Sequence, residues 1–164
     1  MVEDGLIEAA GALIDLCRSK KLSIVTAESC TGGLLAATLT EIPGSSDVFE
    51  RGFVTYSNEA KHTMLGIPLE TLTSFGAVSR ETARAMAVGA LAHAPVELAV
   101  AVTGIAGPQG AVAGKPVGLV HFAAIRGNHL IDAERCYGAI GRGQIRRAAI
   151  GQALALLREL AEGE

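Results

Sequence analysis

A serine, a lysine and a tyrosine set among glycine-rich loops are the residues of this chain suited to covalent chemistry on a carbonyl. The loop hydroxyls are Ser29, Thr31, Ser45, Ser46 and Thr103, accompanied by Tyr56, Lys61 and Arg142. A serine becomes a nucleophile only when a base takes its proton. No histidine is evidently paired with one, so Lys61 is the best base available, provided that burial draws its pKa towards neutrality. A solvated surface lysine is the alternative. Lys61 falls in the first turn of a predicted helix, where the dipole opposes a positive charge by ~0.3–1 kcal/mol. Local rules broken in this way tend to mark functional positions.

The stretch Ala27-Glu28-Ser29-Cys30-Thr31-Gly32-Gly33 follows the β-branched run Ile24-Val25-Thr26 and precedes Leu34-Leu35-Ala36-Ala37. It reads as strand, tight turn, helix. Gly32 and Gly33 let the backbone turn closely, and the carboxyl end of a strand in an open α/β sheet is where ligands bind. The helix that opens here offers unpaired N–H groups to a phosphate or an oxyanion. A capped turn without chemistry is the other reading of these seven residues. Cys30 supplies a thiol as another candidate nucleophile, but no base lies near it in sequence and free cysteines are often core residues.

Several classes are excluded by pattern. Gly110 to Lys115 is not a nucleotide-binding P-loop, because Gln109 and Pro116 occupy the places of the required Gly and Ser/Thr. There is no G-x-S-x-G elbow and no β-lactamase S-x-x-K. Cys17, Cys30 and Cys136 form no close pair, and His62, His93, His121 and His129 lack ligand spacing, so neither a metal nor a cofactor is expected. A net charge of −3 and 4% aromatic residues argue against nucleic acid and anionic membranes as partners. No apolar run reaches membrane-spanning length, and Glu3 and Asp4 stand where a signal peptide would be basic, so a cytoplasmic location is expected.

The elements that must position these residues follow from periodicity. The 164 residues, 49% of them hydrophobic, suit one domain over 1–164. Leu6, Ile7, Ala10, Leu13, Ile14 and Cys17 form a helical stripe. A strand is predicted over 23–26, a helix over 33–41, and a strand over 49–57. Asn58 is the predicted cap of a short helix closed by Gly66, and Ser79 caps another that Pro95 ends. Leu98 to Val102 has the continuous apolar pattern of a central strand. Strands over 117–125 and 129–137 meet at Gly127-Asn128, a hairpin signal that makes the sheet mixed. A last helix opens at Arg142 with Ile145, Ala149, Leu156 and Leu160 inward. The order implies an α/β fold, a three-layer α/β/α sandwich.

Six motifs in order carry a family resemblance: AESCTGG at 27–33, PGSS at 43–46, GFVTYSNEAK at 52–61, GAVS at 76–79, TGIAGP at 103–108 and KPVG at 115–118. The chain resembles the C-terminal domain of the competence/damage-inducible CinA family over nearly its whole length, in a stand-alone form. That resemblance implies a three-layer α/β/α fold with a mixed sheet. It also implies a nicotinamide-nucleotide amidase converting nicotinamide mononucleotide to nicotinate mononucleotide and ammonia in pyridine-nucleotide recycling. By the same resemblance the nucleophile is Ser46 of the PGSS loop, with Lys61 as base and Tyr56 beside them. Ser29, Thr31, Gly32, Gly33, Thr103, Gly104 and Arg142 are the expected substrate-binding residues. Two departures stand out. Ile140-Gly141-Arg142 lacks the family's acidic neighbour of the arginine, and Gly110-Ala111-Val112-Ala113 is more apolar than the usual loop. A nucleotide-binding or regulatory module with little or no catalysis is the alternative function. A homodimer is expected for a domain of this size.

Overall fold

The structure, a computed structural model, describes residues 2–164. Its centre is a five-stranded sheet built from β1 (Ile24–Glu28), β2 (Phe49–Val54), β3 (Leu98–Gly104), β4 (Leu119–Arg126) and β5 (His129–Cys136). The spatial order is β2-β1-β3-β4-β5, with β1 parallel to both β2 and β3, and β4 antiparallel to β3 and β5. The sheet is therefore mixed, and the tight turn at Gly127-Asn128 brings Arg126 opposite His129 as the hairpin signal required.

Helices cover both faces. On one side lie α1 (Asp4–Lys20), α2 (Leu34–Thr40) and α6 (Arg142–Glu162). On the other lie α3 (Asn58–Leu65), α4 (Leu69–Phe75) and α5 (Arg80–Ala92). Strand alternation decides which side chain meets which layer. Along β3, Leu98, Val100 and Val102 face the first layer, and Ala99 and Ala101 the second. The first interface is rich in leucine and isoleucine. The second is rich in alanine, with Ala83, Ala87 and Ala90 of α5 set against Ala27, Ala101 and Ala123 of the sheet. These are the three layers expected from the element order.

Small residues let this second layer sit close. At Gly89 of α5 a Cβ would collide with the Leu65 carbonyl oxygen at the end of α3, and a backbone atom has no rotamer by which to yield. Gly89→Ala is expected to destabilise the fold by ~1–3 kcal/mol, as overpacking does, measured by urea unfolding.

The second strand and the helix after it differ in detail from the pattern-based reading. Strand β2 ends at Val54, and Ser57, not Asn58, caps α3: its Oγ accepts the Ala60 N–H at 3.0 Å. Asn58 already has a place in the first helical turn. Among the described residues no helix is long and apolar enough to cross a membrane.

The chain leaves β1 through α2 to reach β2 on one side, then returns through α3, α4 and α5 to β3 on the other. The two crossovers cover opposite faces. They leave the carboxyl ends of β1 and β3 uncovered, the position of a ligand crevice in open α/β sheets.

Candidate active site

A cleft of about 230 Å³ opens at that crevice. Ser29 and Cys30 follow β1, Tyr56 follows β2, and Thr103 and Gly104 end β3, while Arg142 reaches in from the start of α6. Parallel pairing of β2, β1 and β3 is what gathers residues so distant in sequence at one edge.

Lys61 is the buried cation of the group. It projects from α3, is 1% exposed, and brings Nζ to 3.0 Å from Ser29 Oγ and 2.7 Å from the Thr55 carbonyl oxygen, to which it donates. Burial disfavours the ammonium and pushes the Lys61 pKa down from 10.5 to about 8, with Cys30 opposing weakly. Once neutral, the amine can turn its lone pair to the Ser29 hydroxyl and keep an N–H on Thr55. Hydroxyl, amine and carbonyl then stand in the hydrogen-bond sequence that a nucleophile, its base and a group orienting the base require.

Ser46 is not among the residues that line the cleft. It sits in a 3-10 turn over Ser45–Asp47, just before β2, exposed to solvent. Strand β1 begins beside this turn, where the Ile24 amide donates to the Val48 carbonyl, and Ser29 lies beyond the other end of the strand. The five residue steps from Ile24 to Ser29 span ~17 Å at strand rise. Lys61 is thus paired with Ser29, the residue assigned above to substrate binding.

Tyr56 also has a different partner from the one expected. Its hydroxyl accepts from Arg142 Nη2 at 3.0 Å, and Arg142 Nη1 donates to the Gly107 carbonyl at 2.8 Å. Tyr56, 61% exposed, and Arg142 therefore form the rim of the cleft, separate from the Ser29–Lys61 pair. Thr103 lines the cleft while its Oγ1 donates to the Ala77 carbonyl at 2.7 Å, tying the α4–α5 connection to the sheet. A Cβ at Gly104 would stand 2.8 Å from Val120 Cγ2 and 2.9 Å from the Leu119 carbonyl oxygen, so β3 closes against β4 only with glycine there.

Thr31, Gly32 and Gly33 shape the turn but are not among the cleft's lining residues. The start of α2 is not open to a phosphate. The chain's own Glu28, fully buried at the end of β1, places its carboxylate on the amides of Leu35 at 2.8 Å and Ala36 at 3.1 Å. A negative group at a helix N-terminus satisfies both the free amides and the dipole, and here it is built in. Cys30 is 6% exposed, and burial pushes its thiol pKa up to about 11, the opposite of what a nucleophilic thiolate needs. Arg146, which sequence reasoning missed, donates from Nε to the Cys30 carbonyl at 3.2 Å and from Nη2 to that of Thr31 at 2.9 Å. Its spacing of four from Arg142 on one helix was the available signal. Among the described residues no three His, Cys, Asp or Glu side chains are grouped to hold a metal ion.

The model of the CinA C-terminal domain family matches residues 7–161. A protein of Escherichia coli named nicotinamide-nucleotide amidohydrolase PncC is 44% identical over 159 residues, which are 96% of this chain and 95% of that protein. A putative competence-damage inducible protein of Caldicellulosiruptor saccharolyticus is 46% identical over 147 residues, 90% of this chain but 36% of that protein, so the chain spans about a third of the length of such relatives. Among solved structures, the competence/damage inducible protein CihA from Agrobacterium tumefaciens superposes with a TM-score of 0.97 at 52% identity, covering 99% of each chain. The competence damage-inducible protein A from Klebsiella pneumoniae gives 0.92 at 34%, covering 97% of this chain and 99% of that one.

Proposed function

The chain belongs to the CinA C-terminal domain family, and from that premise we propose that it is a nicotinamide-nucleotide amidase using Ser29 as nucleophile and Lys61 as base. The substrate is nicotinamide mononucleotide, the products are nicotinate mononucleotide and ammonia, and the reaction serves pyridine-nucleotide recycling. The observation that carries this reading is the 3.0 Å contact between Ser29 Oγ and the buried Lys61 Nζ at the edge of the cleft.

Neutral Lys61 takes the Ser29 proton as Oγ attacks the carboxamide carbon. The C–N bond then breaks, and the Lys61 ammonium returns the proton to the leaving nitrogen, releasing ammonia and an ester on Ser29. Water, deprotonated by Lys61 in turn, cleaves that ester to the acid and regenerates the serine. Thr55, by accepting from Nζ, keeps the amine aimed at Ser29 throughout. The phosphate is placed at the rim, on Arg142 and the Tyr56 hydroxyl, because the N-terminus of α2 already holds Glu28.

Two measurements test substrate and orientation. Purified protein is expected to release ammonia from nicotinamide mononucleotide; tight binding with no ammonia would leave the binding module in its place. Arg142→Ala is expected to raise KM for the mononucleotide by about 10–100-fold, the worth of one charge-assisted hydrogen bond. Against the riboside, which has no phosphate, the same variant is expected to match the wild type.

A further inference from the structure

We propose that Arg146 is a positioning residue that fixes the Ser29–Cys30–Thr31 turn so that the Cys30 amide receives the oxyanion formed on Ser29; the inference rests on the amidase reading above. Arg146 lies one helical turn beyond Arg142 on α6 and grips two consecutive carbonyls, those of Cys30 and Thr31. In a trans peptide the carbonyl and the following N–H point to opposite sides. Holding these two oxygens against α6 therefore turns the Thr31 and Gly32 amides away from it. The Gly32 amide closes the turn by donating to the Ser29 carbonyl at 3.0 Å, and that bond in turn directs the Cys30 amide the other way.

The donors of the turn can be accounted for one by one. Ser29 N–H is spent on the Val102 carbonyl at 3.0 Å, and Gly32 N–H on Ser29. Cys30 N–H, which lies against its own thiol, and Thr31 N–H donate to no other residue among those described, and of the two residues only Cys30 lines the cleft beside the nucleophile. The amide that follows a nucleophilic serine is a recurrent oxyanion donor because it sits next to the forming bond. A planar guanidinium suits the holding task, since its fork spans two acceptors with one rigid group. Glu28 secures the far end of the same segment through Leu35 and Ala36, so the turn is fixed on both sides of the donor.

The test uses the full chain as wild type, Arg146→Ala and Arg146→Lys. Three quantities are read: the rate at which a small alkyl fluorophosphonate labels Ser29, kcat and KM for nicotinamide mononucleotide, and the melting temperature. In Arg146→Ala both labelling and kcat are expected to fall about 10²-fold, with KM within about threefold, because the donor is misplaced while the substrate contacts stay. Added guanidinium at a non-denaturing concentration is expected to restore part of both rates in Arg146→Ala and none in Arg146→Lys, whose amine fills the site without the fork. Labelling within about threefold of the wild type, or a loss that guanidinium leaves unchanged, overturns the proposal. Labelling of Ser29 that depends on Arg146 without turnover of the mononucleotide would retain the positioning role and remove the amidase reading. A wild type that is not labelled at Ser29 at all would remove both.

Discussion

Ser29→Ala is expected to lower ammonia release from nicotinamide mononucleotide by at least ~10³-fold, whereas Ser46→Ala stays within about twofold of the wild type. The contrast follows from direction and not from residue type, since both are serines in hydroxyl-rich loops. Ser29 Oγ is 3.0 Å from a buried amine, and Ser46 is a solvated residue at the opposite end of β1. Loss of the covalent step leaves only binding and electrostatic assistance, which is why one side chain carries so large a factor. The same pair of variants discriminates the alternatives by initial-rate assay. Activity lost in Ser46→Ala and kept in Ser29→Ala would overturn the assignment, and activity lost only in Cys30→Ala would point to thiol chemistry.

Lys61→Met is expected to abolish turnover to a similar extent while making the protein more stable at neutral pH. The base acts only as the neutral amine, so with a pKa of about 8 roughly a tenth of the molecules are competent at pH 7. In the wild type kcat/KM should climb about tenfold per pH unit below that value and level off above it. Stability moves with the same proton. Folding depresses the Lys61 pKa from 10.5 to about 8, so between those values the unfolded chain binds more protons and stability rises with pH. Below about 8 both states are charged and the cost of burying the ammonium, up to ~3 kcal/mol, is fully present. Methionine retains the stem and removes the charge, but leaves Ser29 and the Thr55 carbonyl short of a donor. The net gain is expected to be about 1–2 kcal/mol at pH 7, shrinking towards pH 10.5. Urea unfolding of both proteins at neutral and alkaline pH reads the difference. A variant less stable than the wild type by an amount independent of pH would exclude a strained, buried amine.

Most of the elements were legible because their signals are local. The stripe of α1, the apolar run of β3, the Gly127-Asn128 hairpin and the inward face of α6 each need only neighbouring residues to be read. The pairing of Lys61 with Ser29, in place of Ser46, did have a signal in the sequence. Ser29, Tyr56 and Thr103 each lie at or just past the end of a strand, and parallel strands joined by crossovers bring such residues to one edge, whereas PGSS precedes its strand. Strand direction, already implied by the order of elements, outweighed the motif assignment. The filled N-terminus of α2 was harder to foresee. Glu28 is the last residue of β1, and only the way the Gly32-Gly33 turn folds α2 back over the strand puts its carboxylate on the helix amides. Arg146 belongs with it: its spacing from Arg142 marks the helix face, but the backbone carbonyls that it holds leave no complementary side chain in the sequence to point to them.

The alanine-rich interface between α5 and the sheet bears on how this chain can change over evolutionary time. Alanine cannot be enlarged there without the ~1–3 kcal/mol penalty of overpacking, and shrinking it leaves only glycine, which weakens helix and strand alike. On the opposite side, leucines and isoleucines can exchange among themselves at roughly constant volume for less. Neutral drift should therefore run chiefly through the layer of α1, α2 and α6. The layer that supplies Lys61 from α3 and the Ala77–Val78 wall of the cleft has the fewest acceptable neighbours in sequence space, and the placement of the Lys61 amine depends on that packing beneath the cleft.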